Sequence, residues 1–341
     1  MFIKPIIILR TFLRTMSSST TATTATTSLN SNFLLSPEKI PMIHPSGSLV
    51  NPLGYHNIGI AVSNIGISTA FYQKVGFKTI SETPSLVFMT NRGGLELYLF
   101  PCDKGIEDNK NILMDYPTEK YTGHTHISFT VPHVENTRVY LESMGLIISG
   151  ERKVGDKLYA LFTRDPDMTT LEFENNSGVV EDVPITADRI GYPKKLDHIG
   201  TRVFHPEEKL NYYAEKFGFN RKVSTYEPSP EVLKNFRPWI TRTESGFDMN
   251  FIINANTPSD ENILIKGGVV RPGIVYAGLA VADIEATYAA LKSGGVRVVR
   301  EEELVTSKWA CLQGRFKPSL PQRTSLFAED DDFNLFRFVQ S

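Results

Sequence analysis

Four stretches of this chain repeat one pattern of apolar and polar positions. Each begins with a short strand-like run, continues as an amphipathic helix, and ends in weaker strand-like runs. The first is Ile58-Gly-Ile-Ala-Val62 followed by NIGISTAFYQKVGF; the second is His126-Ile-Ser-Phe-Thr-Val131 followed by HVENTRVYLESMGL. The third is His198-Ile-Gly-Thr-Arg-Val203 followed by HPEEKLNYYAEKFGF; the fourth is Tyr276-Ala-Gly-Leu-Ala-Val281 followed by ADIEATYAALKSGGV. Leu210, Tyr213, Ala214 and Phe217 fall at i, i+3, i+4 and i+7, the spacing of one buried helix face. Ile284, Tyr288 and Leu291 repeat that spacing. Asn64 and Asp283 stand where helix N-caps belong. Gly76, Gly145, Gly218 and Gly294 stand where left-handed C-terminal caps belong. Further strands are predicted at Leu95–Phe100, Leu158–Thr163 and Leu171–Phe173.

A longer echo links the halves. Asn111-Ile-Leu-Met precedes Gly123-His-Thr-His126, and Asn262-Ile-Leu-Ile precedes Gly273-Ile-Val-Tyr276. The chain therefore reads as a duplication, with two βαβββ modules in each half. The halves are placed at 52–176 and 195–341. Residues 177–194, with Gly178, Pro184 and Pro193, read as a linker. Residues 1–50 are set apart as a leader. No acidic residue precedes Glu38, Lys4, Arg10 and Arg14 are basic, and Ser and Thr dominate from Ser17 to Ser31. That composition is expected of a mitochondrial transit peptide, with a cytosolic form if translation starts at Met16.

Composition narrows the function classes. Of 341 residues 41% are apolar and 22% charged, which excludes wholesale disorder. The net charge of −2 becomes −5 once the leader's three basic residues are removed, so a nucleic-acid partner is not expected. No apolar run is long enough to span a bilayer. Two cysteines, Cys102 and Cys311, form neither a disulfide framework nor a thiolate zinc site. A P-loop, a G-x-S-x-G, an HExxH and a dinucleotide fingerprint are all absent.

The openings IGIAV and HIGTRV, the FY before a GF, the stretch GHTHISFTV and the run DPDMTTLEFE resemble the vicinal oxygen chelate superfamily. That superfamily includes glyoxalase I, methylmalonyl-CoA epimerase, extradiol dioxygenases and bleomycin-resistance proteins. The resemblance implies an α+β fold. Its four βαβββ modules would pair into two glyoxalase-like domains, each with a U-shaped mixed sheet holding a metal on its concave face.

Strand parity assigns candidate ligands to that face. Ile127, Phe129 and Val131 form the helix-facing set, leaving His126, Ser128 and Thr130 opposite, with His124 in step. Leu171 and Phe173 are apolar, leaving Glu172 and Glu174. Leu95, Leu97 and Leu99 leave Glu96 and Tyr98. Under the family fold Glu96, His126 and Glu172 would converge as metal ligands. The fourth position is open between His56, returned by a β-bulge, and Asn57. His124 reads as a loop or mouth residue, Glu174 as a solvated rim carboxylate, and Asp330-Asp331-Asp332 as a solvated turn. Imidazole with carboxylate suits zinc, nickel, iron or manganese without choosing among them.

The matching positions of the second half read His198, Asp248, Tyr276 and Arg337. A permanent cation at Arg337 disfavours a metal, so this half is expected to be metal-free. The resemblance leaves three functions. The first is a metal-dependent lyase or isomerase like lactoylglutathione lyase, acting on a small α-oxo or α-hydroxy compound through an enediolate, with Glu172 as base. The sequence departs from the glutathione-using pattern at Phe77–Ile80 and Leu97–Phe100, so that cosubstrate does not carry over. The second is an extradiol-type dioxygenase, which needs two His and one carboxylate. The third is a non-enzymatic small-molecule binder. The partner expected is a small-molecule substrate, and the chain a monomer or homodimer.

Overall fold

The computed structural model describes residues 50–154, 157–175, 195–223, 239–243, 245–252, 254–315 and 324–341. The leader and the linker expected at 177–194 lie outside the described residues. The repeat resolves into four modules of one design. The first holds β1 (Pro52–Val62), α1 (Ile65–Val75), β2 (Lys78–Thr83), β3 (Leu86–Thr90) and β4 (Glu96–Pro101). The second holds β5 (Gly123–Thr130), α2 (Val134–Ser143), β6 (Ile148–Val154), β7 (Lys157–Arg164) and β8 (Thr170–Glu174). The third holds β9 (Lys195–Arg202), α3 (Pro206–Phe217), β10 (Arg221–Val223), β11 (Trp239–Arg242) and β12 (Asp248–Ile252). The fourth holds β13 (Gly273–Val281), α4 (Ile284–Ser293), β14 (Arg297–Arg300), β15 (Ser325–Glu329) and β16 (Leu335–Gln340).

Local chemistry sets the helix ends. Asn64 accepts from the Ile67 N–H and Asp283 from the Ala286 N–H, closing the first turns of α1 and α4. Gly76, Gly145 and Gly218 adopt the left-handed conformation, whereas after α4 it falls at Gly295 rather than Gly294. Leu210, Tyr213, Ala214 and Phe217 are all buried, as their spacing requires.

Within each module the first strand runs parallel to the last, and the others pair antiparallel. Between modules the pairing corrects the expected arrangement. β5 of the second module pairs with β9 of the third, and β1 of the first with β13 of the fourth. Among the described residues the modules are thus joined crosswise in two eight-stranded halves of one sheet, not half by half in chain order. The two halves join where Ile274 of β13 pairs with His124 of β5.

Helices tie consecutive modules together. Tyr72 of α1 donates to Asp165 Oδ2 in the turn before β8 at 3.0 Å, and Tyr213 of α3 donates to Asp330 Oδ2 before β16 at 2.6 Å. The other oxygen of each aspartate closes its own turn, Asp165 on the N–H groups of Asp167 and Thr169, Asp330 on those of Asp332 and Asn334. The Asp330–Asp332 turn is therefore not the solvated one expected. Asp330 is buried, and Lys209 pairs with Asp331 and Asp332. His124 is no mouth residue either. It is buried at the seam, bonded to Thr201 Oγ1 and to the Leu335 carbonyl, and burial holds its pKa down at about 4.

Candidate metal centre

Crosswise pairing divides the predicted ligand set. His126 on β5 and Glu172 on β8 meet His198 on β9, while His56 and Glu96 lie at the junction of the first and fourth modules. Convergence of Glu96 with His126 and Glu172 is therefore corrected. The cause is that β1 pairs with β13, which brings Tyr276 and Arg337, not the second module, to the Glu96 side. The expectation of a metal-free second half is also revised, because His198 completes the cluster of the first.

In that cluster His126 Nε2 lies 3.2 Å from His198 Nε2 and 3.4 Å from Glu172 Oε2, and His198 Nε2 lies 3.7 Å from the same oxygen. All three residues are buried. Gly200, packed against His126, leaves room for the ring: a Cβ there would lie 1.9 Å from its Cε1. Hydrogen bonds engage the Nδ1 atom of each ring. Thr125 Oγ1 donates to the Gly200 carbonyl at 3.1 Å, so at 3.2 Å it accepts from His126 Nδ1–H. His198 Nδ1 lies 3.1 Å from both Asp197 Oδ2 and Glu174 Oε1, carboxylates that only accept. Both Nε2 atoms are thereby left to converge with a carboxylate oxygen. A triangle with these edges has a point about 2.0 Å from each corner, the ordinary distance of zinc to nitrogen and oxygen ligands. The donor set fits one divalent cation. With only one carboxylate among the three, it leaves the metal's identity open.

The surrounding charges are strongly perturbed. Burial, and then Glu174, push the Glu172 carboxyl up to about 7, against the pull of Arg152, whose Nη1 is 3.1 Å from Oε1. Burial works against protonation of His198, but Asp197 and Glu174 override it and raise its pKa well above the ordinary value. His126 is driven the other way, by burial and by His198. Glu174 is not a rim carboxylate: it is buried and accepts from Ser128 Oγ at 2.7 Å. Asp248 stands opposite His198 in the sheet, yet its carboxylate is taken by Arg242, with Nη2 at 2.7 Å. A cleft of about 540 Å³ opens beside Asp197, lined also by Thr130, Arg242, Asp248 and Phe247, and by Tyr55 of the first module.

The other junction is chemically different. Glu96 Oε2 accepts from Tyr98 OH at 2.5 Å and lies 3.6 Å from His56 Nδ1. Asn57, fully buried, pairs with Glu96 in the sheet, and its Nδ2 is 3.1 Å from His56 Nδ1. A bulge falls between Tyr55 and Ile58. Arg337 is buried there, 3.0 Å from Glu301 Oε2 and 5.7 Å from the Tyr98 ring. Among the described residues, no group of three converging metal donors includes His56 or Glu96. Thr125 and Asp197 went unrecognised in the sequence. The signal available was the polar residue immediately before each strand histidine.

The model of the glyoxalase/bleomycin resistance protein/dioxygenase superfamily matches residues 54–173 and again 195–317. The chain belongs to this superfamily. A lactoylglutathione lyase of Schizosaccharomyces pombe is 27% identical over 182 residues, which is 47% of this chain and 57% of that protein. The match thus spans less than two thirds of the yeast protein. Among solved structures, glyoxalase I from Zea mays superposes with a TM-score of 0.52 at 16% identity, over 84% of this chain and 92% of that one. A candidate dioxygenase from Bacillus subtilis gives 0.56 at 14% identity, over 85% and 86%. At such identities these likenesses show the superfamily fold and nothing finer. No helix of the described residues is long and apolar enough to cross a membrane.

Proposed function

We propose that the chain is a single-metal lyase or isomerase of the glyoxalase type, acting on a small α-oxo or α-hydroxy compound at the His126–Glu172–His198 cluster. The observation that carries this reading is the convergence of two imidazole Nε2 atoms and one carboxylate oxygen in a buried site. A divalent ion held there supplies a Lewis acid that stabilises negative charge on two adjacent substrate oxygens. The rest is done by protein groups. Glu172, buried at the cluster, would take a proton from carbon and return it to the neighbouring carbon. Arg152 steadies its second oxygen. All these groups come from one chain, so a monomer suffices.

A second reading, an extradiol-type dioxygenase, is favoured by one feature: two His and one carboxylate form the donor set of non-haem iron oxygenases. The two separate in one experiment. The full chain is loaded in turn with zinc, nickel, manganese and ferrous iron. Exchange of the α-proton of a 2-oxoaldehyde thiol adduct with solvent deuterium is followed alongside oxygen uptake on catechols. Exchange that is abolished by Glu172→Gln supports the lyase. Oxygen uptake confined to the iron form, without exchange, replaces it with the dioxygenase.

A further inference from the structure

In all four first strands the residue just before the site position is bulged out of register. On β5 the partner register skips Thr125, with His124 opposite Thr201 and His126 opposite Gly200. On β9 it skips Asp197, with Ser128 opposite His198 and Phe129 opposite Leu196. On β13 it skips Val275, and on β1 the extra residue falls between Tyr55 and Ile58. The module equivalence pairs Asn57 with Glu96 as it pairs His198 with Asp248, so the bulged residue of β1 is His56.

A bulge lets two consecutive side chains share one face of a sheet. In the two strands that carry imidazole ligands, the bulged residue bonds the ring that follows it. Thr125 reaches His126 Nδ1 at 3.2 Å and Asp197 reaches His198 Nδ1 at 3.1 Å. Each is itself held in place, Thr125 on the Gly200 carbonyl and Asp197 by Thr130 Oγ1 at 2.9 Å. On β13, where the site position is Tyr276, the device has lapsed: Val275 is apolar and fully buried.

We infer that Thr125 and Asp197 are positioning residues of the metal centre, each bulged from its strand to hold the next histidine as the tautomer whose Nε2 faces the ion. Glu174 supports Asp197 from β8, since both accept from the one Nδ1–H of His198. Such partners are worth 10- to 100-fold in metal affinity where they have been removed from other sites. This inference rests on the metal-centre reading above.

The test is competitive chelator titration of zinc into the full chain, beside ¹⁵N NMR of the imidazoles in the metal-free protein. Thr125→Val and Asp197→Ala are each expected to weaken zinc 10- to 100-fold, and Thr125→Ser to recover most of the loss. His126 in the wild type is expected to carry its proton on Nδ1, and in Thr125→Val to lose that preference. Unchanged affinity in both variants, or an Nε2-protonated His126 in the wild type, overturns the inference. The NMR result stands even if Thr125→Val does not fold. A wild type that binds no zinc, nickel, manganese or ferrous iron overturns the metal reading itself, which is a distinct outcome.

Discussion

Replacing Gly200 by alanine perturbs the centre without removing any ligand. Gly200 has ordinary backbone angles, so the only insult is the added methyl group. That methyl would lie 1.9 Å from Cε1, 2.1 Å from Nδ1 and 2.6 Å from Nε2 of His126. To restore a normal contact the ring must retreat by about 1.5 Å, since carbon atoms settle roughly 3.5 Å apart. Metal ligands tolerate shifts of only about 0.2 Å, so His126 is lost to the site and its bond to Thr125 with it. Overpacking should cost about 1–3 kcal/mol in the metal-free protein, a fall of a few degrees in Tm. The decisive difference comes on adding metal. At a hundredfold excess over Kd the wild type gains about 2.7 kcal/mol, and Gly200→Ala should gain almost nothing. Gly59→Ala and Gly278→Ala are matched controls, because their methyl groups would lie 2.0 Å from Tyr276 and 2.3 Å from Asn57 at the other junction. They should be destabilised alike yet keep the full metal-induced shift in differential scanning calorimetry. Undiminished stabilisation of Gly200→Ala by metal would refute the reasoning, as would its loss in Gly59→Ala.

Other outcomes follow from the links between modules. Tyr72→Phe strips Asp165 Oδ2 of its buried donor and should cost about 1–3 kcal/mol in urea denaturation. Tyr213→Phe should cost less, because Asn334 Nδ2 also donates to Asp330 Oδ2, at 2.8 Å. Burial, then Asp167, outweigh the hydrogen bonds to Asp165 and push its carboxyl up to about 7 in the folded state. A raised carboxyl binds its proton more tightly when folded, so its contribution is present below its unfolded pKa near 4 and fades as pH climbs through 7. Asp165→Asn removes that titration, so its stability deficit against the wild type should shrink from pH 5 to pH 7.5; a pH-independent deficit would contradict this.

Much of the fold was legible because each signal was local. The four helices announce themselves through one apolar stripe apiece, and Asn64 and Asp283 cap their helices through bonds that need only neighbours in sequence. Parity placed His126 and Glu172 on one face for the same reason. What stayed hidden was which module meets which. Every first strand has the same free edge, and nothing in its period names its partner. The clue lay in glycines inside strands, which mark close approach. Gly200 accommodates His126, Gly59 accommodates Tyr276 and Gly278 accommodates Asn57, and together they spell the crosswise pairing. Pairing the modules in chain order instead set His198 beside Arg337 and dismissed it. Glu174 read as a rim residue because its partners, Ser128 and His198, come from two other strands, one of them in a different module.

The central claim is that one metal ion is held by His126, Glu172 and His198, across the second and third modules. Metal stoichiometry of the purified full chain and its variants, by inductively coupled plasma mass spectrometry after equilibrium dialysis, tests it most directly. One equivalent is expected in the wild type, retained in His56→Ala and Glu96→Gln and lost in His198→Ala. Metal that survives His198→Ala but disappears with Glu96→Gln would contradict the claim.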